Sequence, residues 1–326
     1  MKITVPILLA LLLLASCAAP LAEQKEPVRL TVIGVSQVGA ESDWRVANTE
    51  SMRSTFTEEA GYRLLFEDAR QKQDNQISAI RRFIQQQVDC IVLMPLCESG
   101  WDSVLQEAKA AGIPVILVDR SVAVEDDSLY AAHIGSDFCW EGQQAVAWLD
   151  GAFQDVEGPV NILHIQGTPG SSAQLGRSAA LEQAVEDHEN WTLLAQLDGD
   201  FTQAKTYEVT CQWLDGQSEK PQLHIVYCEN DNSAFGAIQA LEERGYTCGG
   251  EGVRVVSFDA TRQGLTHCLK GKISLDVECD PLMGPLVEEV VQILEAGGTP
   301  EKHYYTQEQL FTPEDLTWKL IEQRIY

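Results

Sequence analysis

Polar side chains recur where apolar runs end. The run 113–118 stops at Asp119-Arg120, the run 254–258 at Asp259, and the run 224–227 leads through Cys228-Glu229 to Asn230-Asp231. The first run enters Gln37-Val-Gly-Ala-Glu41-Ser42-Asp43-Trp44-Arg45. The run 160–165 opens into Gln166-Gly-Thr-Pro-Gly-Ser-Ser, with Arg177 about one and a half turns into the helical segment beyond, and Asp198-Gly199-Asp200 precedes Phe201. One strand-end Asp is commonly only a helix cap. Ser42 or Asp43 can cap a helix that packs Trp44 on a sheet, and capping is compatible with binding. Together these residues put Asp, Glu, Asn, Arg and aromatic groups on one edge of the fold. That mixture suits a neutral polyhydroxylated ligand. Each hydroxyl donates and accepts, carboxylates accept, guanidinium donates in a fork, and C–H ring faces stack on Trp44 or Phe201.

Other chemistries lack their residues. There is no G-x-S-x-G elbow, Walker loop, H-E-x-x-H or G-x-G-x-x-G, and the six histidines share no repeated short spacing. No Cys/His spacing resembles a zinc site, and an anion cleft would carry fewer carboxylates. The expectation is a binding protein, not an enzyme, with no cofactor and no metal. With 49 Asp+Glu against 23 Lys+Arg, the formal charge is −26, which repels phosphate backbones and excludes nucleic acid as a partner. The acidity is spread along the chain and reads as a solvated surface.

Positioning these groups falls to a chain of 326 residues, 44% hydrophobic, long enough for two lobes. Apolar runs at 28–35, 64–67, 90–94, 115–118, 131–134, 161–165, 193–197, 224–227, 254–258 and 274–277 are mostly continuous, as in parallel strands buried on both faces. Helical patterns lie between them. In 76–87, Ile77, Ile80, Phe83 and Ile84 fall on one face and Arg81, Arg82, Gln85 and Gln86 on the other. This alternation predicts an α/β protein of two doubly wound parallel-sheet lobes, about five or six strands each, with the motif order dividing near Gly135. Ligands of such sheets bind beyond the carboxyl ends of the strands.

At the N-terminus, Met1-Lys2 precedes an apolar run over 5–14 that ends in Leu14-Ala15-Ser16-Cys17. This length suits a signal-peptide core, and its end resembles a bacterial lipobox. The expectation is a lipoprotein signal peptide at 1–16, lipidation of Cys17 and a tether over 17–27. The alternative is an ordinary secretory cut near Ala18-Ala19. No other run approaches the roughly 18 apolar residues of a membrane helix. The protein is thus expected outside the cytoplasmic membrane, held by lipid on its outer face. Eight further cysteines are expected to be mostly free, buried thiols, with one or two bridges allowed.

The chain resembles a known family over nearly all of 29–326: periplasmic sugar-binding proteins of the ribose/galactose type that serve ABC importers, and among them the galactofuranose-binding type. The resemblance lies in Val35-Ser-Gln-Val-Gly-Ala-Glu-Ser-Asp-Trp-Arg45, Gln71-Lys-Gln-Asp-Asn-Gln76, 114–121, Ser128-Leu-Tyr130, Gln166-Gly-Thr168, Gly199-Asp-Phe-Thr202, Asn230-Asp231 and Gly236-Ala-Ile-Gln-Ala240. It implies the type I periplasmic-binding-protein fold, with a three-crossing hinge. The N-terminal lobe would be 28–134 plus 280–306 and the C-terminal lobe 135–279 plus 307–326. It assigns sugar contacts to Glu41, Ser42, Trp44, Arg45, Asp119 and Arg120 from the first lobe. Arg177, Phe201, Asn230 and Asp259 come from the second, with Glu278 near a crossing. Three departures stand out: Asp43 replaces an expected Gly, Glu278 replaces the Gln of ribose-type proteins, and the bridge expected near Val160 and His224 lacks cysteines.

The resemblance implies a monomeric receptor that captures a monosaccharide and delivers it to an ABC permease and its ATPase. The rival is a receptor presenting sugar to a histidine kinase or chemoreceptor, whose binding chemistry would be the same. A sugar-responsive repressor would need a DNA-binding helix-turn-helix where this chain has an export signal.

Overall fold

The computed structural model describes residues 29–326. The expected signal peptide and tether, with Cys17, lie outside the described residues. Twelve strands form two six-stranded sheets. The first contains β1 (Thr31–Gln37), β2 (Tyr62–Asp68), β3 (Cys90–Leu93), β4 (Val115–Val118), β5 (Ala132–Gly135) and β11 (His303–Tyr305), in the order β11-β5-β4-β3-β1-β2. The second contains β6 (Val160–Gln166), β7 (Trp191–Asp198), β8 (Ile225–Cys228), β9 (Arg254–Asp259), β10 (Leu275–Glu278) and β12 (Leu310–Phe311), in the order β12-β10-β9-β8-β6-β7. The chain therefore passes between the sheets three times: after β5, after β10 and between β11 and β12.

All pairings in the first sheet are parallel. The second is parallel except where β12 joins β10 antiparallel at the edge. This edge and β11 escaped sequence detection because two or three residues carry no periodicity. The ten expected strands are present, shifted at their ends by at most three residues. Central strands β3, β4 and β8 are wholly buried, which requires helices on both faces and explains their unbroken apolar composition.

Helix Gln73–Gln85 shows how the pattern becomes packing. Ile80 and Phe83 are buried against the first sheet, while Arg81 and Arg82 reach outward to Glu107 and Glu67. Burial of each large side chain contributes roughly 1.5–3 kcal/mol; the exposed ion pairs contribute about 1 kcal/mol at most. The eight cysteines of the described residues are all free, and Cys90, Cys228, Cys248, Cys268 and Cys279 are buried. No helix among the described residues is long and apolar enough to cross a membrane.

Candidate functional site: a polar cavity between the sheets

The carboxyl ends of the strands from both sheets meet at one cavity. It is lined by Glu41, Ser42, Trp44, Arg45, Asp119 and Arg120 on one side and Arg177, Phe201, Asn230 and Asp259 on the other. Phe138, Ala173 and Cys279 complete the wall. Ten of the eleven expected residues therefore converge.

Glu278 does not line the cavity. Its carboxylate accepts hydrogen bonds from Arg324 and, at 3.2 Å, from the Tyr326 hydroxyl. The C-terminal segment, far off in sequence, has claimed this side chain. Trp44, read from the sequence as able to pack on a sheet behind a capped helix start, is 4% exposed in helix Asp43–Thr55, and its indole N–H donates to the Cys279 carbonyl at 2.6 Å. Ser42 is the cap of that helix, its hydroxyl accepting from Arg45 N–H at 3.1 Å. Phe138, Ala173 and Cys279 were missed because small or apolar residues at helix starts and a crossing carry no polar signal.

The first half of the site is a network of two carboxylates and two guanidinium groups. Arg45 Nε donates to Glu41 Oε1 at 3.0 Å, and Arg45 Nη2 to Asp119 Oδ2 at 2.5 Å. Arg120 Nη2 donates to the same Glu41 oxygen at 3.2 Å. The four side chains are at most 4% exposed. Burial alone would lower the Arg45 pKa, but Asp119 and Glu41 outweigh it and hold Arg45 protonated. Burial and the Arg45 charge lower Arg120, against the pull of Glu41 and Asp119. The quartet is thus electrically balanced, as a buried charge cluster must be.

In the second half, Arg177 is fixed from behind. Its Nε donates to Glu141 Oε2 at 2.6 Å, and its Nη1 to the Glu229 carbonyl. Glu141 stands in helix Phe138–Phe153, so sequence spacing could not pair the two. Asn230 caps helix Asp231–Glu243 through its Oδ1, accepting from Ser233 N–H at 2.9 Å, and its Nδ2 donates to the Phe201 carbonyl at 3.2 Å.

Three lining side chains rest on left-handed backbone: Asp119 at φ 64°, Phe201 at φ 57° and Asp259 at φ 111°. Such conformations cost roughly 1–3 kcal/mol each and persist only when surroundings over-determine them. Asp259 shows how. Asp276 Oδ1 accepts from Ala260 N–H at 3.1 Å, and Asp231 Oδ2 from Thr261 N–H at 2.8 Å. These two buried acids clamp the turn that carries Asp259. Gly167 makes room for Phe201: a Cβ there would lie 1.9 Å from the ring.

Four polar atoms around this site are buried without a hydrogen-bond partner: Glu41 Oε2, Arg45 Nη1, Arg120 Nε and Asp259 Oδ2. Two are acceptors when ionised and two are donors. Burial raises the Asp259 pKa well above the ordinary range, Arg177 opposing this and the neighbouring carboxylates adding to it. Buried polar groups of this kind each cost about 1–3 kcal/mol unless paired. They are groups in want of a ligand with hydroxyls.

Residues of the two sheets also touch across the cleft. Glu98 N–H donates to the Gly170 carbonyl at 2.9 Å, Ser121 N–H to Ser172 Oγ at 2.8 Å and Asp43 N–H to Asn232 Oδ1 at 3.1 Å. The cleft is closed around the cavity.

A two-sheet fold crossed three times, with a polar cavity between its strand ends, defines a class of small-solute receptors. The periplasmic binding protein domain matches residues 33–281, and the chain belongs to this family, among its ribose-type sugar-binding members. It is 35% identical over 316 residues to the galactofuranose-binding protein YtfQ of Escherichia coli, covering 96% of this chain and 98% of that one. It is 40% identical to a Mycobacterium smegmatis protein solved in complex with β-D-fucofuranose, covering 87% of this chain and 91% of the other, with a TM-score of 0.82. It is 37% identical to the binding component of the arabinose ABC transporter of Shewanella sp. ANA-3, bound to α- and β-L-arabinofuranose, covering 90% and 96%, with a TM-score of 0.83.

Proposed function

We propose that this protein captures one aldose, in its furanose form, between the two lobes and delivers it to an ABC importer. The observation that carries this reading is the set of four unpartnered buried atoms, two donors and two acceptors, on residues that line one cavity between the sheets. The balanced charge of the walls favours an uncharged ligand. The furanose form is supported by three relatives whose names or bound ligands are furanoses.

The geometry supports a role for each lining residue. Glu41 and Asp119 accept from sugar hydroxyls while keeping Arg45 and Arg120 in place. Arg45, Arg120 and Arg177 donate to ring and hydroxyl oxygens. Asn230 and Asp259 complete the hydroxyl set from the opposite lobe, Trp44 and Phe201 flank the ring, and Ser42 sets the loop. Lobes 28–134 plus 280–306 and 135–279 plus 307–326 swing about the three crossings, and the closed form is favoured by as much as the sugar binds both halves at once. Micromolar affinity, about −8 kcal/mol, suits capture followed by release. The closed receptor then docks, as a monomer, on a permease driven by its ATPase. Cys17 carries the lipid that keeps it at the outer face of the membrane.

A thermal-shift screen of monosaccharides tests the reading. Aldoses that populate furanose rings, L-arabinose, D-galactose and D-fucose among them, raise the unfolding temperature. Stabilisation by none of the neutral sugars would overturn it.

A further inference from the structure

The three crossings converge on a small polar cluster beside the cavity. Glu141 lies in the first turn of helix Phe138–Phe153, just after the first crossing. Cys279 begins the second crossing, directly after β10, and Glu308 lies in the third, between β11 and β12. The Glu141 and Glu308 carboxylates and the Cys279 thiol each offer an atom, all within 4.8 Å of one another. Glu141 and Cys279 are buried and Glu308 is half-buried, so solvent reaches the cluster from the Glu308 side.

The hydrogen bonds show which atoms are left over. Glu141 Oε2 accepts from Arg177 at 2.6 Å, whereas Glu141 Oε1, on a side chain with no exposed surface, has no partner. Glu308 Oε1 accepts from Ser136 and, at 2.7 Å, from Thr306 Oγ1. Ser136 Oγ lies 3.2 Å from Cys279 Sγ. The hydroxyls thus orient two of the three groups from behind, as outer partners orient metal ligands. The third group keeps a buried acceptor oxygen that no hydroxyl or N–H reaches, with only the Cys279 thiol and the Glu308 carboxyl facing Glu141, and a cation among the three would satisfy it.

We propose that Glu141, Cys279 and Glu308 form a zinc-class metal site that ties the three crossings together at the hinge. One thiolate with two carboxylates is a donor set for zinc, whereas calcium and magnesium require oxygen ligands throughout. Ligand atoms about 2.0–2.3 Å from a tetrahedral zinc ion stand about 3.5 Å apart, so atoms now within 4.8 Å of one another need to close up by at most about 1.3 Å. The fourth position faces the Glu308 side and takes water. As the metal enters, the thiol and any protonated carboxyl release their protons to solvent. The absence of a short Cys/His spacing does not argue against such a site, because its ligands come from three distant parts of the chain. Nor does the inference depend on which ligand fills the neighbouring cavity.

The test is a Zn2+ titration of the chelator-stripped protein in competition with a chromophoric chelator, with a parallel Co2+ titration read in the near ultraviolet. The expected result is one Zn2+ per chain bound at sub-micromolar concentration and a thiolate-to-cobalt charge-transfer band. Glu308→Gln and Cys279→Ser each weaken Zn2+ by at least 100-fold, and Cys279→Ser removes the band, while Cys139→Ser, at an exposed thiol, changes neither. Circular dichroism checks folding; should Cys279→Ser not fold, the half-buried Glu308→Gln decides. Absence of stoichiometric Zn2+ binding by the wild type, binding that survives Glu308→Gln, or loss of binding in Cys139→Ser would overturn the proposal.

Discussion

The Arg120 guanidinium lies over the Phe201 ring, 5.0 Å from its centre, one residue from each side of the cleft. The contact closes the cavity wall and joins the charged network of the first lobe to the aromatic face of the second. Truncating Phe201→Ala removes this cation–π contact and the stacking face for a sugar ring, each worth roughly 1 kcal/mol. Calorimetry should show sugar affinity down about 10- to 30-fold, and because the ring is buried the unfolding temperature of the free protein falls as well. Unaltered affinity would place the ring outside the binding surface.

Arg120→Ala and Asp259→Ala remove, from opposite lobes, two charged groups proposed to contact the sugar. Hydrogen bonds to charged groups contribute about 1.5–3 kcal/mol each, and each residue has an unpartnered atom at the cavity. Both variants should fold and bind sugar at least 100-fold more weakly. A wild-type dissociation constant in either one removes that residue from the site.

Closure can be locked covalently. A Cβ placed on Gly170 lies 3.9 Å from Cys97 Cβ across the cleft, inside the disulfide range of about 3.5–4.5 Å. Gly170 has φ 76°, so Gly170→Cys strains the backbone by about 1–2 kcal/mol, an amount a cross-link can hold. Oxidised Gly170→Cys, with the bridge to Cys97 confirmed by peptide mapping, should exchange sugar at least tenfold more slowly than wild type and recover on reduction. Exchange at the wild-type rate with the bridge formed would mean that binding needs no opening of the cleft.

Asp276 and Asp231 give the protein a pH signature. Burial, then the Asp231 and Asp259 charges, push Asp276 well above its ordinary 3.8, and burial takes Asp231 to about 6. An acid raised in the folded state contributes stability that is fully present below its unfolded pKa and is lost as pH rises through its folded pKa. These two groups should therefore cost wild-type stability on going from about pH 4 to above pH 6. Asp276→Asn keeps an acceptor for Ala260 N–H and removes one of the charges. Its stability relative to wild type should rise by about 1.4 kcal/mol or more between pH 4.5 and 7.5, the worth of one pKa unit. Chemical unfolding at the two pH values measures it, and a difference that stays constant contradicts the assignment.

The strands that carry the site were legible because central parallel strands must be apolar on both faces, and β3, β4 and β8 are. The site itself was legible because a doubly wound sheet places every strand end on one edge, so Asp119, Asn230 and Asp259 could be gathered without coordinates. What was hidden depended on pairings between distant segments. Arg324 turns Glu278 away from the cavity, and Glu141 stands behind Arg177. Trp44 was half legible. Its helical cap was visible in Ser42, but its acceptor, the Cys279 carbonyl, lies on a crossing that only folding brings near. Asp276 was unmarked and Asp231 was noted only as the neighbour of Asn230, since clamping the Asp259 turn is a backbone task with no sequence signature.

The central claim is that two lobes share one uncharged sugar. Calorimetric titration of the wild type with the most stabilising neutral aldose tests it most directly. One sugar per chain with a dissociation constant in the micromolar range is the predicted result. No saturable heat with any neutral aldose, or saturation only by a phosphorylated or otherwise charged ligand, would contradict the account.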